Sequence, residues 1–312
     1  MIQKYITFFL GCLFFISTSC QRQQEVIKVF HAGSLSVPLH AIAEAYENLH
    51  PGVKVQLEGA GSLTCIRKIT ELHKACDVLA VADYALIDQL MIPDYTNFNI
   101  LFAGNKMAIG YEPGSKWGNE ISETNWHEIL LRDDVHFGRS NPNHDPSGYR
   151  TEIVMGLAEK KLQIHGLQQG LLNKDQKFIR PKGTELLPLL ETGTIDFIFH
   201  YSSVLQQHNL SVLWLPDSIN LSNPALDDWY ASVCTEVDGT SREQRITKCG
   251  EAMVYGICLP DNGNNPSGAT QFLQFMLTNG RDILENHGQP TIQPVLSTKS
   301  IEIPAWYSSI IN

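Results

Sequence analysis

From Val26 onward, short β-rich runs alternate with segments whose apolar residues recur at helical spacing, an order that predicts an α/β fold with mainly parallel sheets. "VIKVF" reads as a strand. The segment "VPLHAIAEAYENLHPG" carries Val37, Ile42, Ala45, Tyr46 and Leu49 at helical spacing and stops at Pro51 and Gly52. The strand "VKVQLEG", the helix "LTCIRKITELHK" and the strand "CDVLAVAD" complete a β-α-β-α-β series. Both strand-to-helix turns in it repeat the same letters, Ala32-Gly33-Ser34 and Ala60-Gly61-Ser62. Ligands of open α/β sheets bind outside the carboxyl ends of the strands, so the repeat is expected to set Ser34 and Ser62 on one rim of one sheet.

A second α/β section begins near "NKMAIGYEPGS" and runs through the strand "VHFGRS", the loop "NPNHDPSGYR", the helix "TELLPLLETG" and the strand "IDFIFHY". After "GEAMVYGICLP" a final helix follows, "NPSGATQFLQFMLTNGRDILENHG". No solenoid period, low-complexity tract or Gly/Ser linker separates the halves. Two α/β units without a linker are expected to be lobes joined by crossing strands, with a cleft between them. Residues 26–104 and 257–312 then make lobe I, and 105–256 make lobe II.

The chemistry concentrates at the turns. A helix N-terminus presents unpaired N–H groups and a partial positive charge, so it holds an anion without any basic side chain. Glycine lets the backbone approach closely, and a hydroxyl adds a rotatable donor. Four places have this design: Gly33-Ser34, Gly61-Ser62, Asp145-Pro146-Ser147-Gly148 and Gly183-Thr184. Each hydroxyl also reads as a plain helix cap worth about 1 kcal/mol, and Asp145-Pro146 as a capping pair. The duplicated Ala-Gly-Ser is what favours a ligand.

Length and charge narrow the class. At 312 residues the chain supports about two domains. Its net charge of -10, with 23 basic against 33 acidic residues, argues against nucleic acid as a partner. The first residues, "MIQKYITFFLGCLFFISTSC", read as a signal peptide over 1–19: Lys4, an apolar run, then small residues. The run falls short of the roughly 20 residues a membrane span needs. Cys20 after small residues has the pattern of a lipoprotein acylation site, with 20–25 as a tether and simple cleavage as the alternative. Five later cysteines, Cys65, Cys76, Cys234, Cys249 and Cys258, are an odd number, so one at least stays free and the pairing is open.

Catalytic motifs are weak. There is no G-x-S-x-G elbow, no H-E-x-x-H pair and no phosphate-loop lysine. His31 near Ser34 leaves a serine-dependent hydrolase as a minor alternative to a binding protein. Asp227 and Asp228 read as a solvated loop.

Three stretches, "VFHAGSLSVPLHAIAEAYENLHPGVKVQLEGAGSLTCIRKITELHKACDVLAVADYALIDQLMIP", "FGRSNPNHDPSGYRTEIV" and "LLETGTIDFIFHYSSVLQQH", resemble the archaeal-type tungstate/molybdate-binding proteins of ABC transporters. The resemblance runs from about Val26 to the C-terminus. It implies a two-lobed, class II periplasmic-binding-protein fold, each lobe a mainly parallel sheet flanked by helices. It also implies delivery of captured tungstate or molybdate to a permease and its ATPase; with the N-terminal signal and Cys20, the expectation is an exported, lipid-anchored monomer at the outer face of the membrane, without a cofactor. Another small oxyanion or solute on the same fold is the alternative.

By the resemblance, Ser34 and Ser62 donate backbone and hydroxyl hydrogens, Asp145 approaches the metal atom of the oxyanion, Ser147 and Gly183 or Thr184 donate N–H groups, and Tyr201 reaches an oxyanion oxygen. One position departs. Archaeal members have a glutamate before that tyrosine, as a second carboxylate ligand to the metal atom; here "FHYSSV" puts His200 there. Beside the plain reading, that His200 is a satisfied histidine of the cleft wall, two functional readings follow. A protonated His200 pairs with Asp145 and donates to a tetrahedral anion, or a neutral His200 offers nitrogen to the metal. Tetrahedral binding is the expectation.

Overall fold

A computed structural model describes residues 24–239 and 244–310. The signal peptide and Cys20 lie outside the described residues. The chain lays down β1 (Glu25–Ala32), β2 (Val53–Ala60), β3 (Val78–Val81) and β4 (Ile100–Gly104), then crosses into β5 (Met107–Tyr111), β6 (Phe137–Ser140), β7 (Ile179–Arg180), β8 (Phe197–Tyr201) and β9 (Ser211–Trp214). A hairpin of β10 (Cys234–Asp238) and β11 (Arg245–Cys249) precedes the return through β12 (Val254–Cys258) and β13 (Thr291–Leu296). One sheet has the order β13-β4-β12-β3-β1-β2 and the other β7-β6-β8-β5-β9. Helices flank both, giving the expected two-lobed α/β fold.

The sheets are mixed rather than mainly parallel. Among the described residues, parallel pairing is confined to β1 with β2 and β3, and to β6 with β7 and β8. The crossings explain the rest. β4 leaves the first lobe and β12 returns to it, so these neighbours run antiparallel, as does β5 against β8 and β9. β12 joins the first sheet from Val254, opposite Gly104, three residues before the boundary expected at 257.

β1 lies inside its sheet, between β3 and β2, and its last four residues are all buried. A three-residue 3-10 turn, Gly33–Leu35, leads from it into α1 (Ser36–Leu49). The buried Leu35 sets the phase of that helix. Pro38, Leu39, Ile42, Ala43 and Tyr46 face the core, whereas Val37 and Ala45 are half-buried and Leu49 is 66% exposed. The helical spacing was therefore legible, but the face is turned by about one residue from the expected set.

Cys234 and Cys249 stand directly opposite in the hairpin and form a disulfide. Cys65, Cys76 and Cys258 are buried thiols. Burial pushes the Cys65 thiol up to about 12, so it stays protonated and unreactive. Among the described residues no helix is long and apolar enough to cross a membrane.

Candidate functional site

β1 and β2 end in register, Ala32 opposite Ala60, so the two Gly-Ser turns lie side by side at one sheet edge. The cap positions there are Ala32 and Gly61, and no side chain caps either start. Neither serine is therefore a helix cap. Ser62 opens α2 (Ser62–Thr70), and its Oγ accepts the backbone N–H of Ala82 at 3.0 Å. Ser34 Oγ lies 2.9 Å from the Tyr255 hydroxyl. Both serines are buried.

The second lobe presents the other wall. Asp145 is the cap of the helix Pro146–Leu162, its Oδ1 accepting the Ser147 N–H at 3.1 Å, while Oδ2 accepts the Gly183 N–H at 2.8 Å. The amides of Ser147 and Gly183 are thus already committed to Asp145, not open to a ligand as expected. Burial raises the Asp145 carboxyl above the usual carboxylate range, with the two amides opposing. The Ser147 hydroxyl is buried without a partner among the described residues.

The two walls touch. A Cβ on Gly61 would fall 2.1 Å from the His144 carbonyl oxygen and 3.1 Å from the Asp145 Cα, so this approach requires glycine. A Cβ on Gly33 would sit 3.4 Å from Thr184 Oγ1. Arg67 of α2 donates to the carbonyl oxygens of Asn143 (2.8 Å), Asp238 (2.9 Å) and Gly239 (2.9 Å), joining the first lobe to the Asp145 loop and the hairpin. The turns that carry the expected residues of the two lobes accordingly meet.

His200 is a buried, neutral imidazole. Its Nδ1 accepts the Tyr201 N–H at 2.7 Å, so the proton of the neutral ring sits on Nε2. Complete burial lowers its pKa to about 3. The imidazole is therefore neither protonated nor paired with Asp145. In this arrangement Nδ1 is occupied by the Tyr201 amide and Nε2 carries the hydrogen. Nε2 is buried without a hydrogen-bond partner among the described residues, and a Cβ on Gly183 would fall 2.5 Å from it. His31 bonds through Nδ1 to the Ala32 carbonyl at 2.9 Å and not to Ser34, so the nucleophile pair of a hydrolase is not formed.

A cationic layer, which the sequence did not reveal, stands behind the neutral donors. The buried Arg150 donates to Tyr201 Oη at 3.0 Å and across the lobes to the Ala82 carbonyl at 2.6 Å. Lys248 Nζ lies 2.7 Å from Asp83, which also accepts from the Tyr149 hydroxyl and sits 3.9 Å from Arg150. Burial alone would raise the Asp83 carboxyl, but Lys248 and Arg150 outweigh it and hold it at about 2. Burial and then Asp83 push Glu251 up to about 7. Arg150 follows the "DPSGY" turn by one residue, and an arginine in the first turns of an otherwise buried helix was the one available signal.

Residues 27–289 match the family model described as bacterial extracellular solute-binding protein. A solute-binding protein of Petrotoga mobilis is 46% identical over 270 residues, covering 86% of this chain and 84% of its own length. The molybdate/tungstate-binding protein WtpA of Pyrococcus abyssi is 38% identical over 313 residues, covering 91% of this chain and 90% of that protein. Among solved structures, the periplasmic molybdate-binding protein of Azotobacter vinelandii aligns with a TM-score of 0.58 at 17% identity, over 86% of this chain and 100% of that chain, a likeness of fold. With two α/β lobes that meet at these turns and a family match spanning most of its length, the chain belongs to the bacterial extracellular solute-binding proteins.

Proposed function

We propose that this protein captures tungstate or molybdate outside the cytoplasm and hands it to an ABC permease and its ATPase. The observation that carries the reading is the side-by-side ending of β1 and β2, which sets Ser34 and Ser62 on one wall facing Asp145 and Thr184 on the other. A fully deprotonated metal oxyanion matches such a wall of helix starts and hydroxyls. The relatives named for molybdate and tungstate support this ligand class over other anions. Ser34, Ser62, Thr184, Tyr201 and the Nε2–H of His200 are the donors in this reading, and Asp145 is the group nearest the metal atom. With His200 a donor and not a ligand, the anion stays tetrahedral.

Residues 26–104 with the C-terminal segment act as one lobe and the intervening residues as the other, closing as a monomer over the anion. Acylation at Cys20 would keep the protein at the outer face of the membrane. Calorimetry with tungstate, molybdate, sulfate and phosphate in turn tests the ligand. Tight binding of the first two supports the reading. Heat only with sulfate, phosphate or another solute replaces it with a different cargo on the same fold.

A further inference from the structure

The chain crosses between the lobes at residues 105–106 and again at 250–253, directly after β11. The β10–β11 hairpin is fastened to the second lobe. Thr235 Oγ1 donates to Glu152 of the helix Pro146–Leu162 at 2.8 Å, and the Asp238 N–H donates to Asn143 Oδ1 at 2.9 Å. The same hairpin grips the first lobe at two places. The carbonyl oxygens of Asp238 and Gly239 accept from Arg67, which also donates to the Asn143 carbonyl. Lys248 reaches Asp83, which caps the helix Tyr84–Leu90, and both side chains are almost fully buried. Lys248 stands opposite Thr235 and Asp238 opposite Arg245, so the grips lie three residues apart along the ribbon, about 10 Å.

The disulfide decides what an opening motion must break. Cys249 follows Lys248 as the last residue of β11 before the crossing, and it is bonded to Cys234, the neighbour of Thr235. With the strands joined there, Lys248 is held to β10 and, through Thr235, to the second lobe. Rotation of the lobes about the crossings then pulls Lys248 away from Asp83 and separates two buried opposite charges, which is strongly unfavourable. Without the S–S bond the end of β11 is free to peel from β10 and stay with Asp83 while the lobes part, so the ion pair no longer resists.

Resting on the proposed capture of an anion between the lobes, we propose that the β10–β11 hairpin is a strap outside the groove that holds the lobes shut and sets how fast the cargo leaves. Lys248 and Arg67 mark its two anchorages, and the Cys234–Cys249 bond makes the Lys248 anchorage resist opening. Its grip acts on release and not on capture, because these contacts form only once the lobes meet.

Release is read by chasing bound radiolabelled tungstate with excess unlabelled ion. Replacing both Cys234→Ala and Cys249→Ala should speed release about tenfold and leave the association rate within about twofold of the wild type. In an Asp83→Asn background, where release is already fast, the same two substitutions should add less than about twofold. A disulfide that only stabilises the hairpin would change release equally in both backgrounds or not at all, and either result overturns the inference. Arg67→Lys keeps the disulfide and Asp83, and so covers the case in which the cysteine variant does not fold. It should also speed release about tenfold, with a ligand-free melting temperature close to that of the wild type, and unchanged release overturns the strap. If the wild type takes up no tungstate, the functional reading fails separately, and the same cycle is followed with the solute that calorimetry identifies.

Discussion

His200 Nδ1 accepts the backbone N–H of its neighbour Tyr201, and this one bond decides what the imidazole offers a ligand. The ring is neutral, with its proton on Nε2 and its pKa lowered to about 3 by burial. Tungstate affinity should therefore stay level from about pH 6 to 8, without the loss that a titrating histidine would impose. X-ray absorption of the tungstate complex should show four oxygen neighbours and no nitrogen. A nitrogen at bonding distance would refute the donor role.

Two buried imidazoles make the fold acid-sensitive. The pKa of His31 is lowered to about 4, chiefly by burial, and that of His200 to about 3. Between these values and the ordinary value of 6.5 the unfolded chain binds the extra protons, so stability is full above about pH 6.5 and is lost as pH falls. Each contributes up to about 1.4 kcal/mol per pH unit. Glu251, raised to about 7, acts in the opposite sense and cancels part of this. Urea unfolding at several pH values should show a shallower acid slope for His200→Gln, by about one proton. An unchanged slope would place a charged histidine in the folded state.

Gly61 permits the lobes to meet. Its φ of -63° suits any residue, yet a Cβ would overlap the His144 carbonyl. Gly61→Ala should leave the ligand-free melting temperature nearly unchanged while weakening ligand binding at least tenfold, on the order of 1.4 kcal/mol. Small-angle scattering with saturating ligand should find the variant more extended than the wild type. Equal compaction would show that the loop yields.

Lys248 is the main counter-charge to the buried Asp83, at 2.7 Å. Lys248→Met should destabilise the protein by on the order of 3 kcal/mol, since it leaves Asp83 with Arg150 at 3.9 Å as its remaining cation. Asp83→Asn in the same chain should recover part of the loss in denaturant titrations. A variant as stable as the wild type would mean that Arg150 alone suffices.

The sequence by itself determined the α/β class, the paired Gly-Ser turns and their place at one sheet edge, because hydrophobic period and turn chemistry are local and each strand end leads into its helix within three residues. It also singled out Asp145 and Gly183 as turn residues, and the family resemblance singled out His200. Tertiary structure alone decided how their hydrogen bonds run. Asp145 takes two amides, one of them 38 residues away, and His200 loses its charge through burial that no neighbouring letter reports. It also decided that the sheets are mixed, since antiparallel pairing follows from which strands cross between lobes. The layer of Arg150, Asp83, Lys248 and Tyr255 stayed hidden for the same reason. These residues come from separate elements, and their partners are fixed only by how the two lobes pack.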